Sequence, residues 1–200
     1  MFTACFPLVL ASASPRRQDF LTRLGLRFQV APAAVDESPL VGELPEPFAQ
    51  RIAAAKADFI ARDRPEASVI GADTVVALGP TLFGKPRDRS NALEILQALR
   101  GHTHQVITGV VVVCRARALR KAFAVTSEVS FADFSDEVLE AYIDTGESMD
   151  KAGAYGIQGR GSFLVRAIAG SCSNVIGLPI HELVAILLRH QLVQVARRPT

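Results

Sequence analysis

One apolar run constrains the fold of this chain more than any other feature. Residues 67–79 read ASVIGADTVVALG, which is typical of a strand buried inside a sheet. Asp73 lies within that run, where an ionised carboxylate is costly unless it is paired or binds a metal ion. Gly71 allows close backbone approach, and Thr74 adds a hydroxyl group. Neighbouring backbone N–H groups could satisfy Asp73, but we favour a metal ligand or a general base.

Strands and helices alternate along the chain. Predicted strands are apolar runs, at residues 6–12, 26–31, 67–79, 104–116, 120–134 and 162–170, with a short returning strand within 79–86. Predicted helices have apolar residues at helical spacing, from Ser14 to Gly25 and at 45–63, 88–101, 135–146 and 178–192, and a frayed basic tail follows. This pattern predicts an α/β fold with a mixed, twisted sheet and flanking helices. We expect one domain over residues 1–200, without a separate linker.

Composition excludes several classes of function. A net charge of +2 lacks the basic excess of a nucleic-acid-binding protein. No apolar stretch approaches the roughly 20 residues that a membrane span needs, and the short N-terminal apolar run lacks the positive charge of a signal peptide. Cys5, Cys114 and Cys172 are far apart and show no metal-binding spacing. We interpret them as buried strand residues of a cytoplasmic protein.

The first predicted strand passes into the first predicted helix through SASPRR, residues 12–17. Ser14 is suited to cap the helix, with a proline at its first position. Arg16 and Arg17 lie in the first turn, where the helix dipole favours acidic residues instead. Capping alone would explain the serine but not the arginines. We therefore favour a bound phosphate at this helix N-terminus.

Two lysines are candidates for phosphate binding. Residues 79–86, GPTLFGKP, have the spacing of a phosphate-binding P-loop up to Lys85. Pro86 replaces the Ser or Thr that would hold magnesium, so we reject a P-loop but keep Lys85 as a phosphate ligand. Lys56 lies among small alanines on a predicted helix, where it either reaches inward or stays in solvent.

Three further clusters carry polar side chains. Asp36 and Glu37 lie on an acidic loop and either bind a metal ion or are simply solvated. The glycine-rich residues 150–161 indicate backbone that closely approaches a ligand or forms tight turns, and Gln158 within them could hydrogen-bond a nucleobase. His102 and His104 would share one face of a strand, and we favour a structural role for this pair over metal binding.

Together these stretches resemble the Maf family of nucleoside triphosphate pyrophosphatases, also described as septum-formation inhibitors. The matching motifs are, in order, SxSPRR, GADTVV, GKP, DKAGAYGIQG and GLP, and they span nearly the whole chain. The resemblance implies an α/β fold of the ITPase-like kind, with two lobes around a cleft. It also implies a protein that is often a homodimer.

The resemblance implies an activity as well. Family members hydrolyse the bond between the α- and β-phosphates of a nucleoside triphosphate, which yields a monophosphate and pyrophosphate. The YGIQG form at residues 155–159 is similar to the subfamily that acts on dTTP and UTP, not to the sister group that acts on 7-methyl-GTP. One departure is Cys172, where many relatives carry a tyrosine.

The resemblance assigns roles to individual residues. Asp73 matches the position of the proton acceptor in the family. Arg16, Thr74 and Gln158 match positions linked to substrate choice. The other polar residues of the cleft are matched by Ser12, Arg17, Glu37, Lys56 and Lys85.

These roles predict metal-assisted hydrolysis. We expect a divalent cation, Mg²⁺ or Mn²⁺, on Asp73 and Glu37 together with triphosphate oxygens, because such ions bind through one or two carboxylates plus phosphate. Lys56, Lys85 and Arg17 are expected to stabilise charge on the leaving pyrophosphate. Whether Asp73 is a base, a metal ligand or both stays open at this point.

A second class of function also stays open. The older family name suggests a nucleotide-sensing regulator of cell division, or septum formation, that acts through a partner. In either case the expected ligand is a nucleoside triphosphate, and we expect neither nucleic acid nor a membrane as a partner.

Overall fold

The computed structural model describes residues 1–196, whose elements follow the predicted alternation. The strands are β1 (Phe2–Ala4), β2 (Leu8–Leu10), β3 (Gln29–Val30), β4 (Ser68–Leu78), β5 (Thr81–Phe83), β6 (Thr103–Cys114), β7 (Leu119–Phe131), β8 (Val165–Ala169) and β9 (Val193–Val195). The α-helices are α1 (Pro15–Arg23), α2 (Pro45–Arg62), α3 (Arg89–Leu99), α4 (Asp136–Ile143), α5 (Cys172–Ile176) and α6 (Ile180–Arg189). The predicted α/β class is confirmed. None of the described helices has the length and apolar character needed to cross a membrane.

A mixed sheet contains most of the strands. They are hydrogen-bonded in the order β3-β2-β4-β6-β7-β8, and β5 pairs with β4. Strand β2 is parallel to β3 and β4, whereas β5 and β8 are antiparallel to β4 and β7. Helices α1 and α2 connect the three parallel strands, and a tight turn connects β4 to β5. The mixed sheet therefore combines crossover connections with hairpins, as the sequence predicts.

The described residues divide into two compact units, of which the first contains the N-terminus and the last described residues. It comprises residues 1–73 and 109–124 and the segment that begins at Gly177. Apolar side chains of β2, α1, β4 and α6 form its main core, which includes the fully buried Leu10 and Leu21. Burial of such side chains is the main stabilising contribution to this unit.

The second unit comprises residues 74–108 and 125–176. Its core is formed by α3, α4 and the strands beside them, and it includes the buried Leu96, Phe131 and Leu139. The unit begins at Thr74, directly after Asp73, so the strand β4 supplies residues to both units.

The chain ends differ from the prediction. The sequence predicts a frayed tail after residue 192, but Val193–Val195 forms β9 and pairs antiparallel with β1. Strands of three residues carry little signal in a sequence, and these two depend on a partner at the opposite end of the chain. Residues 197–200 of the predicted tail lie outside the described residues.

All three cysteines are free thiols, but their burial differs from the prediction. Cys114, at the end of β6, is buried as expected. Cys5 and Cys172 are exposed, so the prediction of buried strand residues is wrong for both. Cys5 lies in a bend after β1 and Cys172 begins the short helix α5, and neither position faces an apolar core.

Helix α2 packs very closely against β4 because both elements present small residues. Ala53 and Ala57 are fully buried on the helix. A Cβ atom at Gly71 would lie 2.3 Å from the Ala53 carbonyl oxygen and 2.7 Å from the Ala57 backbone nitrogen. The backbone of α2 therefore rests directly on β4. This packing brings Lys56 of the helix to Asp73 of the strand.

We expect Gly71→Ala to lower the free energy of unfolding by about 1–3 kcal/mol, because the new methyl group would overlap backbone atoms that cannot turn aside. Urea unfolding followed by circular dichroism would measure the change. Gly84→Ala is the matched control, since an added Cβ there meets nothing within 4 Å. Its effect should stay within about 0.5 kcal/mol, and equal losses in the two variants would contradict the close packing of α2.

Candidate active site

The carboxylate of Asp73 is paired with a lysine. The Lys56 ammonium donates a hydrogen bond to Asp73 Oδ1 at 2.8 Å. Both residues are only 8% exposed, so this ion pair is largely removed from solvent. Of the two alternatives for Lys56, the structure shows the one in which it reaches inward. The costly buried charge of Asp73 is therefore balanced by an opposite charge on the facing helix.

A second carboxylate contacts the same ammonium group. Glu37 Oε1 lies 2.8 Å from Lys56 Nζ, and about half of the Glu37 side chain is exposed. Asp36 instead accepts a hydrogen bond from the Ser38 backbone N–H at 2.9 Å. Hydrogen bonding from Ser38 lowers the pKa of Asp36. The acidic loop therefore directs one carboxylate, that of Glu37, to Lys56 and Asp73.

Arg17 is a second buried cation and connects three segments of the chain. Its Nη1 donates to Ser12 Oγ at 2.9 Å and to the Ala72 carbonyl oxygen at 2.8 Å. Its Nε donates to the Gly177 carbonyl oxygen at 2.8 Å. Burial lowers the pKa of Arg17, and the nearby Asp73 carboxylate opposes that effect. One guanidinium group therefore fixes the positions of the SASPRR, GADTVV and GLP motifs.

The start of α1 differs from the predicted cap. The helix begins at Pro15 after Ser14, as predicted, but the Ser14 side chain makes no capping hydrogen bond. Its backbone N–H donates instead to Ser12 Oγ at 3.3 Å. Arg16 is half-buried in the first turn, beside the buried Arg17. Ser12, Arg16 and Arg17 therefore lie together at this helix start, and the phosphate predicted to bind there stays a prediction.

The surroundings of Asp73 alter its acidity. Burial is the largest influence and raises its pKa, because the charged form loses hydration. Lys56 and Arg17 lower the pKa, while the nearby Glu37 raises it further. The net direction is upward, so the Asp73 carboxylate binds a proton more readily than an exposed aspartate does. This is the direction expected for a general base.

In the second unit, Thr74 joins a chain of hydrogen bonds. Its Oγ1 lies 2.9 Å from Oγ1 of Thr108, which donates to the Asn174 carbonyl oxygen at 3.1 Å. The Asn174 side-chain amide is fully buried and donates to the Val106 carbonyl oxygen at 2.9 Å and to Ser127 Oγ at 3.0 Å. Thr74 is thus held by a polar network whose members the sequence did not reveal.

Lys85 is an exposed cation on an anchored turn. It follows β5, between Gly84 and the buried Pro86. The Gly84 carbonyl oxygen accepts a hydrogen bond from the Gly153 backbone N–H at 3.1 Å. The GKP and DKAG motifs, far apart in sequence, are therefore in direct contact.

Gln158 is exposed on residues 156–161, which we call the Gln158 loop. The residue before this loop, Tyr155, is buried, and its hydroxyl lies 2.7 Å from His104 Nε2. His104 is 1% exposed, and its Nδ1 has no hydrogen-bond partner within residues 1–196. His102, by contrast, is exposed and lies near the Arg100 carbonyl oxygen. Neither histidine belongs to a group of three or more potential metal ligands in the described part of the chain.

We expect acid to destabilise the fold through His104, because burial lowers its pKa from 6.5 to about 4. The unfolded chain then binds a proton as the pH falls below about 6.5, and the folded protein does not until about pH 4. Stability should fall by about 3 kcal/mol across that window. Urea unfolding of wild type, His104→Gln and His102→Gln between pH 7 and pH 4 would check this. Only His104→Gln should weaken the dependence on pH, and the same profile in all three proteins would contradict it.

The structure brings most of the predicted polar residues into contact within the first unit. Lys56 contacts Glu37 and Asp73, Arg17 contacts Ser12, and Arg17 also attracts the Asp73 carboxylate electrostatically. The second unit holds Thr74, Lys85 and Gln158. The sequence analysis missed Glu147, whose carboxylate accepts backbone hydrogen bonds from Arg160 and Gly161. Its only signal was an acidic residue just before a glycine-rich segment.

Comparison with known proteins agrees with the motifs. Residues 7–190 match the family described as Maf-like protein. The chain therefore belongs to the Maf-like family.

Several relatives are similar over nearly their whole length. The dTTP/UTP pyrophosphatase of Nitratidesulfovibrio vulgaris is 48% identical over 94% of this chain and 90% of that protein. The dTTP/UTP pyrophosphatase of Myxococcus xanthus is also 48% identical, over 91% of this chain and 91% of that protein. The dTTP/UTP pyrophosphatase of Desulfotalea psychrophila is 42% identical over 98% of this chain and 100% of that protein. The solved structure of the Staphylococcus aureus Ham1 protein aligns with a TM-score of 0.42 and 17% identity, over 64% of this chain and 72% of that chain. That similarity is too low to bear on the fold.

Proposed function

We propose that this protein is a nucleoside triphosphate pyrophosphatase that hydrolyses the bond between the α- and β-phosphates of dTTP and UTP. The observation that carries the proposal is the buried Asp73 carboxylate, paired with Lys56 and attracted by Arg17. Hydrolysis of a phosphoanhydride needs a base for water and cations for the leaving group. Relatives at 42–48% identity that are named dTTP/UTP pyrophosphatase support the same substrate class.

Asp73 orients the attacking water and accepts its proton. Its raised pKa makes its carboxylate a stronger base than an exposed aspartate, and its contact with Lys56 favours the ionised form that can accept a proton. Lys56 and Arg17 stabilise the negative charge that develops on the leaving pyrophosphate, and their burial strengthens this electrostatic effect. Lys85 and Ser12 serve as further contacts for the triphosphate, as the family resemblance implies.

We also propose that a divalent cation, Mg²⁺ or Mn²⁺, takes part. Lys56 contacts Oδ1 of Asp73 and Oε1 of Glu37, and the second oxygen of each carboxylate is the hard donor that such a cation prefers. Within residues 1–196, no group of three or more acidic, histidine or cysteine side chains could hold a metal ion. Phosphate oxygens of the substrate would complete the ligands. The cation would supply Lewis-acid polarisation of a phosphoryl oxygen.

Selection of the base is proposed to depend on Gln158, Arg16 and Thr74. Uracil and thymine offer an N3–H donor between two carbonyl acceptors, and an amide such as that of Gln158 can meet the donor and one acceptor together. Arg16 can only donate, so it suits a carbonyl and disfavours the amino group of cytosine. A mismatched base would leave polar groups unpaired, which discriminates strongly.

The setting of the enzyme is also a proposal. We place the protein in the cytoplasm, because its three free thiols, two of them exposed, suit a reducing compartment. The resemblance to the family further suggests a homodimer. Size-exclusion chromatography with light scattering would determine the oligomeric state.

We expect Asp73→Asn to lower turnover by at least 10²–10⁴-fold, because the base is lost while the shape of the side chain is kept. The assay is pyrophosphate release from dTTP, UTP, CTP, GTP and 7-methyl-GTP with Mg²⁺ or Mn²⁺. Asp63→Asn, at an exposed position after α2, is the control and should retain wild-type rates. Near-wild-type turnover by Asp73→Asn would contradict the role of Asp73. Nucleotide binding by the wild type without pyrophosphate release would instead favour the regulatory alternative.

We expect Gln158→Ala to narrow the preference for UTP over CTP, chiefly through loss of activity on UTP. The wild type should cleave dTTP and UTP best, because the thymine methyl and the ribose hydroxyl leave the pairing edge of the base unchanged. The measurement is kcat/KM for UTP and CTP in both proteins. Gln105→Ala, at an exposed position on β6, serves as the control. A wild-type preference for 7-methyl-GTP, or an unchanged UTP-to-CTP ratio in Gln158→Ala, would overturn this assignment.

A further inference from the structure

Both ends of the Gln158 loop are tied to one carboxylate. At the far end, the backbone N–H groups of Arg160 and Gly161 donate to Glu147 Oε2 and Oε1, at 2.8 Å and 3.2 Å. At the near end, the Gly156 N–H donates to the Tyr142 hydroxyl at 3.2 Å. That hydroxyl in turn donates to Glu147 Oε1 at 3.2 Å. Glu147 therefore closes the loop directly at one end and through Tyr142 at the other.

Glycines let the loop backbone lie against these two side chains. Gly159 has a φ of +135°, and a Cβ atom there would lie 2.7 Å from Glu147 Oε2. A Cβ atom at Gly161 would lie 2.6 Å from the Tyr142 hydroxyl oxygen. The segment therefore needs glycine for its close contact with Glu147 and Tyr142.

The protonation states suit this arrangement. Burial raises the pKa of Glu147, but the hydrogen bonds from Arg160, Gly161 and Tyr142 outweigh it, and the net pKa is lowered. Burial and the Glu147 charge raise the pKa of Tyr142. The carboxylate is therefore ionised and the phenol protonated at neutral pH. Hydrogen bonds to an ionised acceptor are the stronger kind.

A glycine-rich segment needs fixed contacts, such as those with Glu147 and Tyr142, if it is to recognise a base. Glycine gives the backbone more conformational freedom than any other residue. Gln158 is exposed, and it lies between Gly156 on one side and Gly159 and Gly161 on the other. An amide that must meet two atoms of a base edge has to be held in one orientation. Burial of Gln158 does not provide that restraint, whereas the anchors on both sides do.

We propose that Glu147 is a positioning residue which, together with Tyr142, holds the Gln158 loop in the conformation that presents the Gln158 amide to the pyrimidine base. The inference rests on the proposed function, in which Gln158 reads the base. It goes beyond that function because Glu147 and Tyr142 act on selectivity through the loop backbone, without touching the substrate.

The test uses Glu147→Gln, which keeps the shape of the side chain and removes its charge. Hydrogen exchange followed by mass spectrometry should show faster exchange in residues 156–161, by about tenfold or more, because charge-assisted hydrogen bonds are lost. The same variant should lose about tenfold in kcat/KM for UTP, mainly through KM, with a smaller loss for CTP. Its UTP-to-CTP ratio should approach that of Gln158→Ala. Tyr142→Phe should loosen mainly the Gly156 end and give a smaller change of the same kind.

Glu128→Gln, an exposed substitution on β7 of the same unit, is the matched control and should leave exchange and kinetics unchanged. Circular dichroism would establish that each variant is folded. Unchanged exchange of residues 156–161 in both Glu147→Gln and Tyr142→Phe would overturn the inference, as would an equal loss of activity on every nucleotide. If Gln158→Ala narrows the ratio and Glu147→Gln does not, the inference alone fails. If Gln158→Ala leaves the UTP-to-CTP ratio unchanged, the proposed role of Gln158 in base recognition is wrong, and the inference about Glu147 is then wrong as well.

Discussion

The buried ion pair of Asp73 and Lys56 constrains how the first unit is built, because it links helix α2 to strand β4. Each residue is 8% exposed, and taking both charges out of water is expensive. Their attraction offsets that cost only while the two atoms remain at hydrogen-bond distance, 2.8 Å apart. Removing one partner of such a pair typically costs about 3–5 kcal/mol, because it strands the other charge. The fold must therefore hold α2 and β4 at a fixed separation.

Small residues fix that separation. A buried lysine on a helix reaches a carboxylate on a strand only if the two backbones are close, and Gly71, Ala53 and Ala57 make them so. The close packing of α2 on β4 is therefore also what allows the Lys56–Asp73 ion pair to form. The small side chains of Ala53 and Ala57 let α2 approach β4 closely enough for the Lys56 ammonium to reach Asp73.

The sequence predicts the positions of some of these residues better than those of others. Asp73 could be located because a charge inside a long apolar run is anomalous whatever the rest of the fold is. Lys56 could not be separated from a solvated lysine, because its direction depends on helix packing that local pattern does not encode. The family resemblance, carried by motif order, assigned both to one site. Neither the local sequence pattern nor the family resemblance pointed to Glu147. A glutamate that accepts hydrogen bonds from backbone N–H groups 13 and 14 residues away has no distinctive local pattern.

The triphosphate and the base of the proposed substrate place different physical demands on the residues that are proposed to bind them. A triphosphate is recognised by charge, and the first unit supplies buried charge in Asp73, Lys56 and Arg17, whose positions hydrogen bonds fix. A pyrimidine edge carries no net charge, so its recognition depends on the geometry of neutral donors and acceptors. The neutral amide of Gln158 is proposed to supply that geometry, and it lies on a loop whose backbone N–H groups at Arg160 and Gly161 donate to the Glu147 carboxylate. Because Asp73 and Thr74 are consecutive residues of β4, a single strand carries the proposed base and one of the residues proposed to take part in nucleotide selection.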